Sequence, residues 1–260
     1  MKIDRSYDSL NYIDYITNLF EIDRTNGLSM RSVTFQVTED CCCACSYCYQ
    51  IDKHHNNMSL ETGKKIVDLI FQMYYDNKET GFINQKTTKG IILDFIGGEP
   101  LMNIDVIDGI CSYFEERCIK EHHPWALTWK ASIISNGAYY FNPKVEAFLK
   151  KFGPKIGMDI TIDGPKDVHD KCRIYHNGQG NYDDAKKAFD ALAARGTPSS
   201  TKVTIAPENL NELFRIIKYF IDSGTSALNI NCVYEHKWTY EEGAVLYYQL
   251  KQVADYLLNH

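Results

Sequence analysis

The sequence predicts an α/β protein built on a parallel sheet. Three observations carry this. Strand-like and helix-like segments alternate six times along the 260 residues. The strand-like segments are short apolar runs, most of them stopped by glycine, asparagine or proline. The composition is that of an ordinary globular chain, 44% hydrophobic and 24% charged, which excludes a disordered or low-complexity protein.

The elements follow in order. RSVTFQVT (Arg31–Thr38) alternates apolar and polar residues, as a half-buried strand does. After a cysteine-rich loop, Ser59 is placed to cap a helix whose apolar face is Gly63, Ile66, Val67, Ile70, Met73 and Tyr74. IILDFI (Ile91–Ile96) reads as a buried strand ended by Gly97–Gly98. Asn103 opens a helix carrying Ile107, Ile110 and Phe114 on one side. LTWKASIIS (Leu127–Ser135) is a third strand, stopped by Asn136–Gly137, and Asn142–Pro143 starts a helix that Gly153 ends. IGMDITI (Ile156–Ile162) is a fourth strand, and a long loop over Asp163–Gly180 precedes a helix capped by Asn181. TKVTIA (Thr201–Ala206) is a fifth strand, followed by a capping-box pattern at Asn209 and Glu212 ahead of Leu213, Ile217 and Phe220. SALNINCVY (Ser226–Tyr234) is a sixth, and Thr239 with Glu242 repeats the box before an apolar stripe of Leu246, Leu250, Val253 and Leu257.

Strict alternation implies right-handed crossovers and parallel strands. Six units suit either a doubly wound open sheet or an incomplete barrel, and periodicity does not choose between them. Both bind ligands at the carboxyl ends of the strands. That directs attention to the cysteine loop, Gly97–Glu99, Ser135–Asn136, Asp163, Ala206–Asn209 and Tyr234–His236. Residues 1–30 are expected to form a lead-in with a helix around Leu10–Phe20, and residues 31–260 the α/β domain.

Composition also limits function. No apolar run approaches the ~18 residues of a membrane-spanning helix. The polar, acidic first fifteen residues, MKIDRSYDSLNYIDY, are unlike a signal peptide, so the expected compartment is the cytoplasm. A net charge of −6 lacks the basic footprint of a nucleic-acid binder.

The cysteines are the anomaly. Of nine, five crowd into one loop as Cys41, Cys42, Cys43, Cys45 and Cys48; the rest are Cys111, Cys118, Cys172 and Cys232. Cytosolic disulfides are rare, so a clustered set points to metal or catalysis. Cys41, Cys45 and Cys48 spell CxxxCxxC, while Cys42, Cys45 and Cys48 spell CxxCxxC. Thiolates suit zinc and iron–sulfur centres. A structural zinc site wants four protein ligands, usually in two pairs; no second CxxC pair exists, although His54 and His55 are near enough to contribute. Three cysteines on a cubane would leave one iron open for a ligand. Cys111 and Cys118 fall in a helix as packing residues, and His122, His123, His169 and His176 read as loop residues.

With these motifs in hand, the chain resembles the radical S-adenosylmethionine (SAM) enzymes. The resemblance rests on CCCACSYCY after the first strand, IGGEP (Ile96–Pro100) after the second and ISNG (Ile134–Gly137) after the third. TIDGPKDVHDKCR (Thr161–Arg173) resembles a segment of the peptide-modifying members, among them anaerobic sulfatase-maturating enzymes and ribosomal peptide maturases.

The resemblance implies an incomplete TIM barrel of six βα units, whose lateral opening suits a peptide or protein substrate. It implies a 4Fe–4S cluster on Cys41, Cys45 and Cys48, with SAM on the open iron. Tyr47 would pack near adenine. Gly97, Gly98 and Glu99 would hold the SAM amino group, in keeping with a glycine turn that admits close approach and a carboxylate that suits an ammonium. Ser135 and Asn136 would lie near ribose and carboxylate, or simply end the strand. Asp163 would line the site or cap the Gly164–Pro165 turn, and Arg173 would anchor the SAM carboxylate or be a surface charge. Thr204, Ala206 and Asn209 lie where the family contacts adenine, Asn209 doubling as a helix cap. Glu235 and His236 would face the cavity mouth. The reaction would be oxidoreductive, fed by reduced flavodoxin or ferredoxin.

Two departures stand out. Peptide-modifying relatives carry a cysteine-rich C-terminal extension with auxiliary clusters, for which the scattered cysteines supply no motif; the expectation is a fragment of a longer protein. Cys42 and Cys43 are extra thiols inside the cluster loop. A small-molecule or RNA substrate, and a non-catalytic iron–sulfur or zinc module, are the competing readings.

Overall fold

A computed structural model describes residues 30–50, 55–196 and 200–259. The expected helix around Leu10–Phe20 and His54 lie outside the described residues. The described chain forms two compact units, one of residues 30–38, 56–133 and 147–157, the other of residues 39–50, 55, 134–146, 158–196 and 200–259.

All six expected strands form: β1 (Met30–Thr38), β2 (Gly90–Gly97), β3 (Lys130–Ser135), β4 (Ile156–Ile160), β5 (Ser200–Ile205) and β6 (Ala227–Cys232). They do not make one continuous ladder. The order is β1-β2-β3-β4 in a four-stranded sheet, with β5-β6 as a separate pair. The pairings β1–β2, β2–β3 and β5–β6 are parallel. Beside β4 the backbone ladder gives way to a side chain. Thr201 Oγ1 donates to Ile160 O at 2.7 Å and accepts from Ile162 N at 3.0 Å. A buried hydroxyl thus satisfies the last carbonyl of β4 and an amide two residues beyond the strand.

In the first unit, α1 (Leu60–Asp76) and α2 (Ile104–Lys120) pack together. Ser59 caps α1 as expected, its hydroxyl accepting from Thr62 N at 3.1 Å. Gly63 lies on the buried face because there is no room for more: a Cβ there would come within 2.4 Å of Ile110 Cδ1. Phe35 and Phe95 meet in register across β1–β2, with ring centroids 5.4 Å apart. Phe71, Tyr74, Phe114, His123 and Trp125 form an aromatic cluster with Trp129. Leu127–Thr128, expected in the third strand, instead end a one-turn helix, α3 (Trp125–Thr128), that buries Trp125. Cys111 and Cys118 are buried packing residues on α2, as expected.

The helix α4 (Pro143–Phe152) begins where Asn142 Oδ1 accepts from Lys144 N and ends at Gly153, whose φ of +54° suits glycine. The second unit holds α5 (Lys166–Cys172), inside the segment expected as loop, then α6 (Tyr182–Ala194), α7 (Leu213–Asp222) and α8 (Tyr240–Asn259). The Thr239–Glu242 box closes reciprocally, at 2.7 Å from Thr239 N and 3.2 Å from Glu242 N. Asn209 corrects the parallel expectation: its side chain makes no forward cap, but turns back to Ala206 N and Thr204 O, locking the end of β5. The stripe on α8 is not a core face in this unit, for no α8 residue is buried and Leu250 and Leu257 stay exposed. Among the described residues, no helix is long and apolar enough to cross a membrane.

Candidate metal centre

The cysteine loop is fixed by the strip of chain after α5. Ala44 N donates to Ile174 O at 2.7 Å, Ser46 N to Cys172 O at 2.9 Å, and Cys43 forms an antiparallel bridge with Tyr175. His176 Nε2 lies 3.0 Å from Cys41 O. Cys48 N donates to Cys45 O, turning the loop between its last two cysteines. The backbone polar groups of the loop are thus partly met without regular structure.

Cys41, Cys45 and Cys48 line one cavity of about 490 Å³, together with Ala44, Ser46, Gln50, His55 and His176. Three neighbouring thiols also gather on their own account. The Sγ atoms of Cys41, Cys42 and Cys43 all lie within 4.8 Å of one another. The Asn136 Nδ2 donates to all three, at 3.7, 3.4 and 3.4 Å. Asn136 therefore faces the cysteine loop, while its Oδ1 accepts from Ala138 N and shapes the turn. Ser135 takes the turn role: its Oγ accepts from Gly137 N at 3.0 Å.

The electrostatics differ from thiol to thiol. A hydrogen bond from Cys43, helped by the Arg173 charge and opposed by burial, brings the Cys45 thiol down to about 7. The Cys41 contact pushes Cys42 up to about 12, and Cys43 is raised as well. Cys45 is thus readier than Cys42 or Cys43 to be a thiolate, the form that binds metal.

Behind the loop lies a buried ionic hub. Asp163 is fully buried and accepts from Tyr47 Oη, from Arg173 Nε at 2.6 Å and from Thr204 N at 2.8 Å. The Arg173 guanidinium also sits over the Tyr47 ring, 5.4 Å from its centroid. Burial works against the Arg173 charge, but Asp163 outweighs it and the guanidinium stays ionised. Burial pushes the Tyr47 phenol well up, so it remains a donor. Asp163 N donates to His169 Nδ1 at 3.0 Å, and burial lowers that imidazole to about 4. Two expectations are corrected here. Arg173 is no surface charge, with 11% of its side chain exposed, and His169 is a buried helical residue rather than a loop one. His123 is likewise buried among aromatic rings.

In the first unit, Gly97 needs to be glycine, because a Cβ would come within 2.6 Å of Thr38 O. Gly98 N donates to Thr38 O at 2.9 Å. Glu99 is fully buried and accepts from Leu101 N at 3.1 Å, capping the 3₁₀ turn Pro100–Asn103. In the second unit, His236 pairs with Glu242 of the α8 capping box, and Glu235 is exposed. Sequence reasoning missed Gln50, whose amide nitrogen and oxygen are both buried without a partner beside the cavity. Only its position two residues after Cys48 offered a hint.

The chain is 29% identical over 137 residues, 52% of its length and 40% of the relative's, to the S-adenosylmethionine-dependent nucleotide dehydratase of Selenomonas ruminantium. It shares its fold with native anSMEcpe with bound AdoMet, at TM-score 0.67 and 16% identity over 87% of this chain and 60% of that one. Streptococcus suis SuiB bound to precursor peptide SuiA gives TM-score 0.60 at 15% identity, over 99% and 53% of the two chains. This chain spans 40% to 62% of the length of the first curated relatives it matches. The resemblance to radical SAM enzymes is borne out, and the fold is an α/β fold with a parallel sheet. Residues 25–174, more than half of the chain, match the model of the 4Fe-4S single cluster domain family, and the chain belongs to that family.

Proposed function

We propose that this chain is the core of a radical SAM enzyme that abstracts hydrogen from a peptide or protein side chain, built as an incomplete barrel of six βα units. The observation that carries the reading is the cavity of about 490 Å³ on which Cys41, Cys45 and Cys48 converge. The residues present fit a cluster: three thiols line the cavity, one of them already acidic, and an unpartnered carboxamide lies at its wall. Cys41, Cys45 and Cys48 would hold the 4Fe–4S cluster, and the open iron would take SAM. When bound, the cluster would supply the one electron needed to cleave SAM into methionine and a 5′-deoxyadenosyl radical.

The chain's own residues bind and orient. The Nη groups of Arg173, not used in its Nε bond to Asp163, suit the SAM carboxylate. Asp163 aims that guanidinium and fixes Tyr47, between two of the cysteines, for contact with adenine. Asn136 borders the same loop, Ser135 holds the turn that carries it, and Thr204 is held to Asp163 through its backbone. Peptide substrates are supported by the fold shared with SuiB, which was captured with its precursor peptide. The similarity to a nucleotide dehydratase favours a second reading, a small-molecule substrate. Reduced flavodoxin or ferredoxin would donate the electron.

The test is anaerobic. Protein reconstituted with iron and sulfide is reduced, given SAM and assayed for 5′-deoxyadenosine by mass spectrometry. Product from wild type and none from Cys45→Ala supports the reading. A fully loaded wild-type cluster that leaves SAM intact, with a peptide library or nucleotides added, refutes it.

A further inference from the structure

The cluster reading leaves Cys42 and Cys43 without a task, yet their sulfurs gather with that of Cys41. We infer that Cys41, Cys42 and Cys43 form a second, mononuclear site for a soft divalent cation such as Zn²⁺, and that this site and the 4Fe–4S cluster exclude one another because both need Cys41. The exclusion rests on the proposed cluster ligands; the site itself does not.

The two sets touch where Cys43 hydrogen-bonds the Cys45 thiol, but their spacings suit different centres. A zinc–sulfur bond of about 2.3 Å places tetrahedral sulfurs ~3.8 Å apart. The Cys42 and Cys43 sulfurs are 3.9 Å apart, and all three lie within 4.8 Å. A cubane ties each thiolate to a different iron and holds the sulfurs further apart, which suits residues spaced along the loop rather than three in succession. Neighbouring side chains in an extended strand point to opposite faces, but this loop is turned: Cys43 N donates to Cys41 Sγ at 3.4 Å. Asn136 Nδ2 then reaches all three sulfurs from β3's end, and N–H donors stabilise thiolates. Binding would release three thiol protons to solvent and leave the fourth position to water, the pattern of three protein ligands and one open site.

The experiment titrates cluster-free protein with Cd²⁺ under argon and follows thiolate-to-cadmium absorbance, with Zn²⁺ as competitor. Wild type should bind one ion tightly. C42S/C43S should bind it more than about 100-fold more weakly, beyond the 10–100-fold cost of disturbing an outer-shell partner, and still accept a cluster. C42S alone, at a half-buried position, should show the same loss without touching the buried Cys43. C48A should keep the ion and lose the cluster. Wild type preloaded with zinc should take up a cluster only after chelation. Wild-type cadmium binding in C42S/C43S, or its loss in C48A, overturns the site. Zinc and cluster loaded together overturn the exclusion. Cadmium held by the three thiols in a wild type that accepts no cluster refutes the cluster reading and leaves the site standing.

Discussion

Removing the Asp163 carboxylate should damage the second unit more than any other single side-chain truncation behind the loop. Asp163→Ala leaves the Arg173 guanidinium buried without its counter-ion, and strands the Tyr47 hydroxyl and the Thr204 amide. Breaking a buried pair by removing one partner costs ~3–5 kcal/mol. Whole domains hold only ~5–15 kcal/mol. At roughly 2–4 °C per kcal/mol for a chain of this size, the melting temperature of cluster-free protein should fall by about 10 °C. The decisive assay is a double-mutant cycle by urea unfolding. Asp163→Leu and Arg173→Met should each be costly alone, but the two together should recover much of the loss, because neither charge is then buried alone. Additive losses, or an Asp163→Ala cost below ~1 kcal/mol, the range of a solvent-exposed pair, would refute the reasoning.

Acid should destabilise the protein through His169. Its folded pKa of about 4 lies below the unfolded value of 6.5, so its contribution is full above the unfolded value and is lost as pH falls from 6.5 toward 4. The loss is ~3 kcal/mol at 1.36 kcal/mol per unit, and urea midpoints of His169→Gln should lack that slope. Thr201→Val keeps the shape but strands Ile160 O and Ile162 N, and calorimetry should show a loss of about 3 kcal/mol; an unchanged transition would mean that water replaces the hydroxyl. Thr239→Ala opens the α8 capping box and should cost ~1 kcal/mol, read as lower helicity on mild heating.

The alternation of elements was legible because most strands carry their own stop signal and the longer helices their own stripe. Local signals worked where the partner is local, as at Ser59 and in the Thr239–Glu242 box. They failed where a distant partner competes. Asn209 has the pattern of a cap, but the amide and carbonyl at the end of β5 claim its side chain. The break between β4 and β5 was invisible because it depends on one hydroxyl, Thr201, replacing a ladder. The helix α5 was read as loop, although Val168, His169 and Cys172 share one face at helical spacing. The candidate site was legible as a set of motifs, because cysteine spacing is a property of the chain. The partnership of Asp163, Tyr47 and Arg173 was not, since it joins residues far apart in sequence through burial that no single residue announces.

The central claim is that Cys41, Cys45 and Cys48 are the three ligands of one cluster. Iron and sulfide content, with electron paramagnetic resonance of the reduced protein before and after SAM, tests it directly across single alanine variants of all five loop cysteines. The account predicts four irons and a SAM-dependent change of spectrum in wild type, Cys42→Ala and Cys43→Ala, and no cluster in Cys41→Ala, Cys45→Ala or Cys48→Ala. A cluster that survives Cys41→Ala and is lost in Cys42→Ala would contradict it.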